Sequence, residues 1–509
     1  MREQLESLLI VLALGSTVAI AAKRANIPYN VALVVIGLLA VLADVLPEVK
    51  MNAELVLLVF LPMLVFEAAL FANADAMRRV ARPIVALALP GVAFSLLGTA
   101  WVAHVAVGLP FSEALLLGAL LAITDTVSVL LAFRSTRAPH RLHTIMEGES
   151  LFNDGTALVL VSLTSVAFAT GHFDGLAAFR GLTVSILGGA AVGAAFGAIG
   201  SAVLRRTPDH LTAIFSSLVL VFATSLGAEH LHASPVIAVV VAGLFVGRAA
   251  RKFLEPSRIL AMQGFWETIG FSLNVLLFLL VGMEIKAPML VRDAGPIALT
   301  LVALHVGRAV AVYACFLILR VATKEVVPFR WQHVMVFGNI KGALSMAAVL
   351  ALPDSVPDKP RLITIVFGVT FVTLVTQALP FRKFLRALGI DGGAVHRDLE
   401  GARASLVAAR RGQLELDELL ATGLVSRGDH AERRAEFQRR IIVAEGTLRA
   451  RIGNDDAVAD RVADVALLEA QKAAVLDGSR RGLYSEATAE EHISNIDRQL
   501  MKHQEHEGG

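Results

Sequence analysis

Apolar runs of about 20 residues recur along this chain between residues 5 and 380. Each run is long enough to cross about 30 Å of hydrocarbon as an α-helix. Soluble domains lack such a pattern because a polar surface must balance their core, and the mean hydropathy of +0.67 with 18% charged residues agrees. We therefore predict an all-α polytopic membrane protein with about thirteen transmembrane helices. The runs lie near residues 5–22, 28–46, 53–71, 83–107, 112–133, 150–170, 181–204, 210–230, 234–248, 265–285, 295–320, 332–353 and 362–380.

Basic residues indicate how the chain is oriented in the bilayer. Lys and Arg concentrate in the loops that follow odd-numbered segments, beginning with Lys23 and Arg24. Because such loops stay on the cytoplasmic side, we predict that the amino terminus lies outside the cell and the carboxyl terminus in the cytoplasm. The membrane is expected to be the plasma membrane. The first run is expected to remain as a membrane helix, since its basic residues follow the apolar stretch, whereas those of a signal peptide precede it.

The character of the chain changes after Ile390. Residues 1–390 form the predicted transmembrane domain, whereas residues 391–509 are rich in charge and carry leucines at helical spacing, which predicts a soluble helical cytoplasmic tail. We expect this tail to dock on the core or to associate with itself. The single cysteine, Cys315, excludes a disulfide framework and a Cys-based zinc site, and we expect neither a cofactor nor a nucleic-acid partner.

Ionisable residues occur at the predicted depth of the membrane. Each costs several kcal/mol there unless it is paired or hydrated, so each is a candidate for function. Acids outnumber bases in this set, which a purely structural set of ion pairs would not require. We therefore expect some of the carboxylates to bind a cation or a proton. The residues are Glu67, Asp125, Glu149, Asp154, Glu229, Glu267, Arg308 and Lys341.

Two of the predicted segments are interrupted by polar residues near their middle. The fifth, "LLGALLAITDTVSVLLAF", carries Thr124 and Asp125. Interrupted helices are tolerated where the freed backbone lines an aqueous cavity, and glycine supplies the flexibility for a break. Interruptions at corresponding places in two halves favour two inverted six-helix repeats, segments 2 to 7 and 8 to 13. The twelfth segment, "VMVFGNIKGALSMAAVLAL", has four residues at its predicted break: Gly338, Asn339, Lys341 and Gly342.

The sixth segment opens with the polar stretch "ESLFNDGTALVLVS". Helical spacing places Ser150 and Asp154 on one face, with Glu149 and Asn153 on the adjacent face. Asp154, with a hydroxyl one turn before it and the interrupted fifth segment nearby, offers the hard oxygen ligands that an alkali cation accepts. A carboxylate that binds either a cation or a proton, at a site open alternately to each side, suffices for exchange. We predict a secondary active antiporter in which a monovalent cation and H⁺ compete for Asp154.

Several motifs occur in a fixed order over most of residues 5–390, among them "FLPMLVFEAALF", "ITDTVSV", "EGESLFNDGTALVL", "FWETIGFSLNVLLFLLVGMEI" and "GNIKGALSMAAVLAL". In these motifs the chain resembles the monovalent cation/proton antiporters, in their sodium/proton exchanger branch. The resemblance implies a homodimeric bundle of about thirteen helices with a dimerisation subdomain and a mobile core subdomain that shifts the ion site across the bilayer. It also implies exchange of Na⁺, or of Li⁺ or K⁺, for H⁺.

The resemblance further implies an ion site built around two crossing, interrupted helices. Asp154 would bind the cation or the proton, and Asp125 would lie at the crossing and offset the helix dipole ends. The further ligands that the resemblance implies are the Thr124 backbone carbonyl, Ser150 and Glu67.

Other residues take supporting roles by the same resemblance. Asn153 stands where electrogenic relatives carry a second aspartate, which implies electroneutral one-for-one exchange. Arg308 would pair with Glu149 and brace the core subdomain. Two positions depart from the family pattern: Thr126 replaces a common proline, and Lys341 replaces an arginine, which loses its proton less readily than lysine when buried.

A gated channel and an intramembrane hydrolase are the two other classes of function to which these residues could belong. A gated monovalent cation channel, the alternative that stays open, would need a continuous pore with polar rings or a carbonyl filter, and no filter sequence is present. An intramembrane hydrolase could use Asp125 and Asp154 as a catalytic pair, but no Gly-x-Gly-Asp or Gly-x-Ser-x-Gly element accompanies them. We therefore expect a transporter and not an enzyme.

Overall fold

The computed structural model of the chain is helical throughout the part that it describes. That part comprises residues 2–25, 27–43, 53–125, 127–136, 138–170, 175–207, 209–284, 287–353, 356, 358–390 and 394–452, with isolated positions beyond. Within these ranges every regular element is a helix, so the predicted all-α class is confirmed.

The helices are numbered here in chain order. All of the predicted apolar segments coincide with helices, and the fifth and twelfth each coincide with two. The helices are α1 Arg2–Arg24, α2 Tyr29–Leu42, α3 Val56–Phe71, α4 Ala74–Arg79, α5 Ala81–Val107, α6 Phe111–Ala122, α7 Val127–Thr136, α8 His140–Thr170, α9 Gly175–Arg206, α10 His210–His230, α11 Pro235–Phe253, α12 Pro256–Glu284, α13 Ala287–Arg292, α14 Ala294–Thr323, α15 Phe329–Phe337, α16 Ala343–Leu350, α17 Lys359–Ala378, α18 Phe381–Ala387, α19 Ala394–Ala421 and α20 Arg427–Ile452.

Length and composition identify membrane-crossing candidates among these helices. In the described part of the chain six helices qualify: α5, α9, α10, α12, α14 and α17. Three further apolar helices, α2, α3 and α6, are shorter. The membrane-protein class therefore holds, whereas the number of about thirteen spans and the inverted repeats stay predictions.

The chain divides into two compact units, Met1–Asp391 and Gly392–Gly509. In the second unit, α19 and α20 form an antiparallel pair of helices. Arg410 on α19 bonds Glu445 on α20 at 2.9 Å, and Asp417 accepts a hydrogen bond from the buried His430 at 2.7 Å. These contacts run in opposite order along the two helices, so the described residues of this unit form a helical hairpin.

In the first unit, backbone-to-backbone packing fixes α12 against α2. A Cβ added at Gly282 would stand 2.2 Å from the carbonyl oxygen of Val34, and one added at Gly37 would stand 2.5 Å from that of Leu279. Only glycine permits such an approach, which is typical of helix contacts within membranes. This contact holds α12, which borders the candidate site, in a defined place.

The two polar interruptions separate consecutive helices. Helix α6 ends at Ala122 and α7 begins at Val127, whereas α15 ends at Phe337 and α16 begins at Ala343. Thr126, where the sequence departs from the family pattern, lies outside the described residues.

Hydrogen bonds join the two interruptions to each other. The Asp125 N–H donates to the Ile340 carbonyl at 2.8 Å, and the Ser345 hydroxyl donates to the Ile123 carbonyl at 3.3 Å. Backbone groups that a break leaves without helical partners must be satisfied elsewhere in an apolar interior. The two interrupted helices therefore cross at residues 123–125 and 338–342 and satisfy part of each other's backbone.

Gly342 leaves little space at this crossing. A Cβ there would stand 2.6 Å from the Cβ of Asp125, an atom that cannot move unless the backbone moves. We expect Gly342→Ala to lower the free energy of unfolding by about 1–3 kcal/mol, the usual cost of an overpacked core. Thermal unfolding of the purified protein in detergent measures the loss. Gly295→Ala is the control, since no described heavy atom beyond its chain neighbours and the adjacent helix backbone lies within 4 Å of its added methyl. Equal stability of the two variants would contradict the expectation.

Candidate functional site

A cavity of about 1140 Å³ lies beside the helix crossing. It brings together polar groups from α3, from the first interruption and from α8, three parts of the chain that are far apart in sequence. Gly342, from the second interruption, also lines it. Five of the residues for which an ion-binding role is predicted therefore face one space: Glu67, Thr124, Asp125, Ser150 and Asp154.

One carboxylate oxygen of Asp154 has no hydrogen-bond donor among the described residues. This atom, Oδ1, is buried. A buried carboxylate oxygen without a donor is costly, so such an atom calls for a ligand. The side chain as a whole is partly exposed and lines the cavity.

Asn153 braces the interruption beside Asp154. Its Nδ2 atom donates to the Ala122 carbonyl at 3.2 Å and to the Thr124 hydroxyl at 3.1 Å. The amide thus satisfies the last carbonyl of α6 and holds Thr124 in place. Its own Oδ1 is buried without a hydrogen-bond donor among the described residues. Asn153 does not line the described cavity. By the family resemblance it is a neutral residue in the place of a second aspartate, and its contacts give it a positioning role in addition.

Asn30 is a site residue that sequence reasoning missed. Its side chain is fully buried at the start of α2, and its Nδ2 atom donates to Asp125 Oδ2 at 3.3 Å. The contact spans 95 positions of the chain, so no local pattern reveals it. The available signal was an amide placed at the head of an apolar run, where a buried polar group needs a partner. Asn30 orients the carboxylate of Asp125 at the crossing.

Glu149 and Arg308 form a buried ion pair. It is the pair that the family resemblance implies. Arg308 Nη1 donates to Glu149 Oε1 at 2.9 Å, and Arg308 Nε donates to the Met335 carbonyl at 3.2 Å. Their side chains are only 4% and 2% exposed, for Arg308 and Glu149 respectively. The guanidinium therefore ties α8, α14 and α15 together next to the crossing.

Lys341 and Asn339 lie within the second interruption, which Gly338 and Gly342 bracket. Lys341 is fully buried, and its Nζ atom donates to Asn339 Oδ1 at 2.7 Å. The carboxylates of Asp154 and Glu149 are close enough to act electrostatically on this amino group. The Lys341 side chain thus lies next to the acidic residues of the crossing.

Comparison with known proteins connects this geometry to a family. The family model described as "Sodium/hydrogen exchanger, transmembrane" matches residues 9–387. The Na⁺/H⁺ antiporter NhaS2 of Synechocystis sp. is 34% identical over 97% of this chain and 93% of its own length. The Na⁺/H⁺ antiporter ApNhaP of Aphanothece halophytica is 34% identical over 81% of this chain and 80% of its own.

A solved structure shares the fold. The sodium proton antiporter MjNhaP1 of Methanocaldococcus jannaschii matches with a TM-score of 0.62 over 76% of this chain and 97% of that one. Its sequence identity to this chain is 19%, so the likeness speaks for the arrangement of helices alone. The described helices therefore adopt a membrane-transporter fold.

Proposed function

The chain belongs to the sodium/hydrogen exchanger family, and from this premise we propose that it exchanges Na⁺ for H⁺ across the plasma membrane. Membership makes it a transporter and not an enzyme, in agreement with the prediction from the sequence. The relatives named above are Na⁺/H⁺ antiporters, which supports Na⁺ as the cation.

One observation carries the proposal: Asp154 Oδ1 is buried, lacks a hydrogen-bond donor among the described residues and belongs to a side chain that lines the cavity. Either a proton or Na⁺ satisfies this oxygen and neutralises the carboxylate. Because one carboxylate cannot hold both, the two ions compete. The Ser150 hydroxyl, the Thr124 carbonyl and the Glu67 carboxylate are proposed as further ligands of Na⁺, with Asp125 close by at the crossing.

Asn153 supports a one-for-one stoichiometry. Its amide is neutral, and its nitrogen is committed to the end of α6 and to Thr124. Asp154 is then the only group of this pair that changes its charge in the cycle. Each cycle moves one Na⁺ in one direction and one H⁺ in the other, so no net charge crosses the membrane.

The lining of the cavity suggests the side to which it opens. Lys23 at the end of α1 and Arg382 in α18 both line it. Both follow odd-numbered apolar segments, the first and the thirteenth, where the concentration of basic residues predicts the cytoplasmic side. We propose that the structure represents a state open to the cytoplasm, with the amino terminus outside and the carboxyl terminus inside. Movement of a core subdomain within a homodimer would then expose Asp154 to the other side, as alternating access requires. For the tail, docking on the core or self-association stays a prediction.

Transport by the purified protein tests the exchange. Proteoliposomes with an acidic interior receive Na⁺, Li⁺ or K⁺ outside, and a pH-sensitive dye reports the interior. We expect Na⁺ to collapse the proton gradient, and we expect the rate to be unchanged when K⁺ and valinomycin hold the membrane potential at zero. A channel would instead carry Na⁺ down its gradient without opposing H⁺ movement. That result would contradict the proposal.

Competition at Asp154 predicts a definite dependence on pH. At low pH the proton occupies the carboxylate, so a higher Na⁺ concentration is needed to displace it. We expect the KM for Na⁺ to rise by up to about tenfold for each unit of pH decrease in the range where the proton dominates, as mass action requires. Initial rates against Na⁺ concentration at several pH values measure it. A KM that is independent of pH would indicate separate sites for the two ions.

A further inference from the structure

The carboxylate of Glu67 lies directly against the backbone of Gly270. If a Cβ were added at Gly270, it would stand 2.7 Å from Glu67 Oε2, 2.9 Å from its Cδ and 3.3 Å from its Oε1. These are the three nearest atoms, and all of them belong to the carboxylate group. Real Cβ atoms essentially never approach a neighbour more closely than 3.0 Å. Glu67 therefore occupies space that any residue except glycine would fill.

Both residues belong to the wall of the same cavity. Glu67 on α3 and Gly270 on α12 line it together with Asp154 and Thr124. Gly270 is buried, and the packing of α12 against α2 at Gly282 fixes the backbone that carries it. The position of the Glu67 carboxylate is thus limited by a backbone that cannot easily retreat.

We propose that Gly270 is a positioning residue that sets the affinity and the selectivity for the transported cation through Glu67. By presenting a hydrogen atom where other residues carry a Cβ, it lets the Glu67 carboxylate lie where it can bind a cation at Asp154. This inference rests on the proposed exchange and deepens it, since it identifies a determinant of cation choice outside the ligand set.

Ligand position matters because alkali cations differ in size by fractions of an ångström. A carboxylate displaced by a few tenths of an ångström no longer suits the same ion, and sites of this kind require placement within about 0.5 Å. The displaced atoms are the far end of a flexible side chain, so α12 does not have to move. Alanine also forms helices better than glycine, so the substitution does not weaken α12 itself.

The pair Gly270→Ala and Gly264→Ala isolates the effect. Gly264 lies on α12 and lines the same cavity, but among the described residues no atom beyond its chain neighbours and the adjacent helix backbone lies within 4 Å of a Cβ added there. For Gly270→Ala we expect a KM for Na⁺ raised about threefold to tenfold, because a charged ligand is displaced, with a maximal rate changed by less than about twofold. We also expect altered ratios of KM among Na⁺, Li⁺ and K⁺. Gly264→Ala should match the wild type in both respects.

Coupling to Glu67 distinguishes positioning from a general structural effect. Aspartate is one methylene shorter than glutamate, so the methyl of Gly270→Ala has less to displace in a Glu67→Asp background. We expect the added substitution to change the KM for Na⁺ in that background by less than about twofold, which is the non-additivity of residues in contact. The same proteoliposome assay measures all four proteins.

Several results would overturn the inference while leaving the proposed exchange intact. One is a Gly270→Ala protein with the KM and the cation ratios of the wild type; others are equal shifts in Gly264→Ala and full additivity with Glu67→Asp. A Gly270→Ala protein that fails to fold would also overturn it, since only the flexible carboxylate should have to move. Failure of the proposed function itself has a different signature: the wild type would then show no cation-dependent H⁺ flux.

Discussion

Replacing Asp154 with asparagine is expected to abolish Na⁺-dependent H⁺ movement while the protein stays folded. The amide has the same shape as the carboxylate but cannot bind a proton, and it attracts a cation weakly. Loss of a charge contact in a desolvated site is worth about 3–5 kcal/mol, which corresponds to a decrease in rate of at least about 100-fold. Because Asp154 Oδ1 accepts no hydrogen bond from the described residues, the substitution breaks no bond at that atom.

Glu147→Gln is the matched control for this substitution. Glu147 lies on the same helix two turns before Asp154 and lines the same cavity. Its replacement removes an equal charge from the same space, and we expect a rate within about twofold of the wild type, as for a group outside the ion site. Proton flux in proteoliposomes measures both variants, and size-exclusion chromatography in detergent confirms that each is folded. Substantial exchange by Asp154→Asn would remove the basis of the proposed mechanism.

The second large effect is expected on stability, from the buried pair of Arg308 and Glu149. Removing one partner leaves the other charge buried without compensation, which costs about 3–5 kcal/mol. We therefore expect Arg308→Met to lower the thermal midpoint strongly, because the guanidinium also loses its bond to the Met335 carbonyl. Thermal unfolding in detergent, followed by tryptophan fluorescence, measures the shift.

An exposed pair with the same geometry provides the control. Arg141 Nη2 lies 2.9 Å from Glu325 Oε1, the same distance as in the buried pair, but the two side chains are 41% and 19% exposed. We expect Arg141→Met to cost at most about 1 kcal/mol, because solvent screens such pairs. The double variant Arg308→Met/Glu149→Met should regain part of the loss, since it leaves no buried charge alone. Similar midpoints for Arg308→Met and Arg141→Met would show that the buried pair does not brace the fold.

The features of the fold that the lipid bilayer imposes could be predicted from the sequence. A bilayer requires long apolar runs and penalises polar groups within them, so the helices and the polar interruptions at Asp125 and Lys341 appear as local patterns. The number of membrane-spanning helices cannot be predicted in the same way from the apolar pattern. Several apolar helices, such as α2 and α6, are too short to be assigned as crossings by length and composition.

The tertiary partners in the site could be predicted only in part. The pairing of Glu149 with Arg308 was predicted through a family resemblance, since no local sequence pattern links two residues that lie 159 positions apart. The contact of Asn30 with Asp125 was missed for the same reason, and so was the approach of Glu67 to Gly270. The sequence does not show which group packs against a given glycine. Such contacts depend on how helices pack, and a hydropathy pattern does not determine that.

Proton release on Na⁺ binding tests the central claim most directly. Purified protein in detergent and weak buffer receives Na⁺, and a pH indicator counts the protons released. If Na⁺ and H⁺ compete for Asp154, saturating Na⁺ should release up to about one H⁺ per chain, as binding to a protonated ligand requires. Asp154→Asn should release none under the same conditions. Equal release from the wild type and from Asp154→Asn would contradict the account.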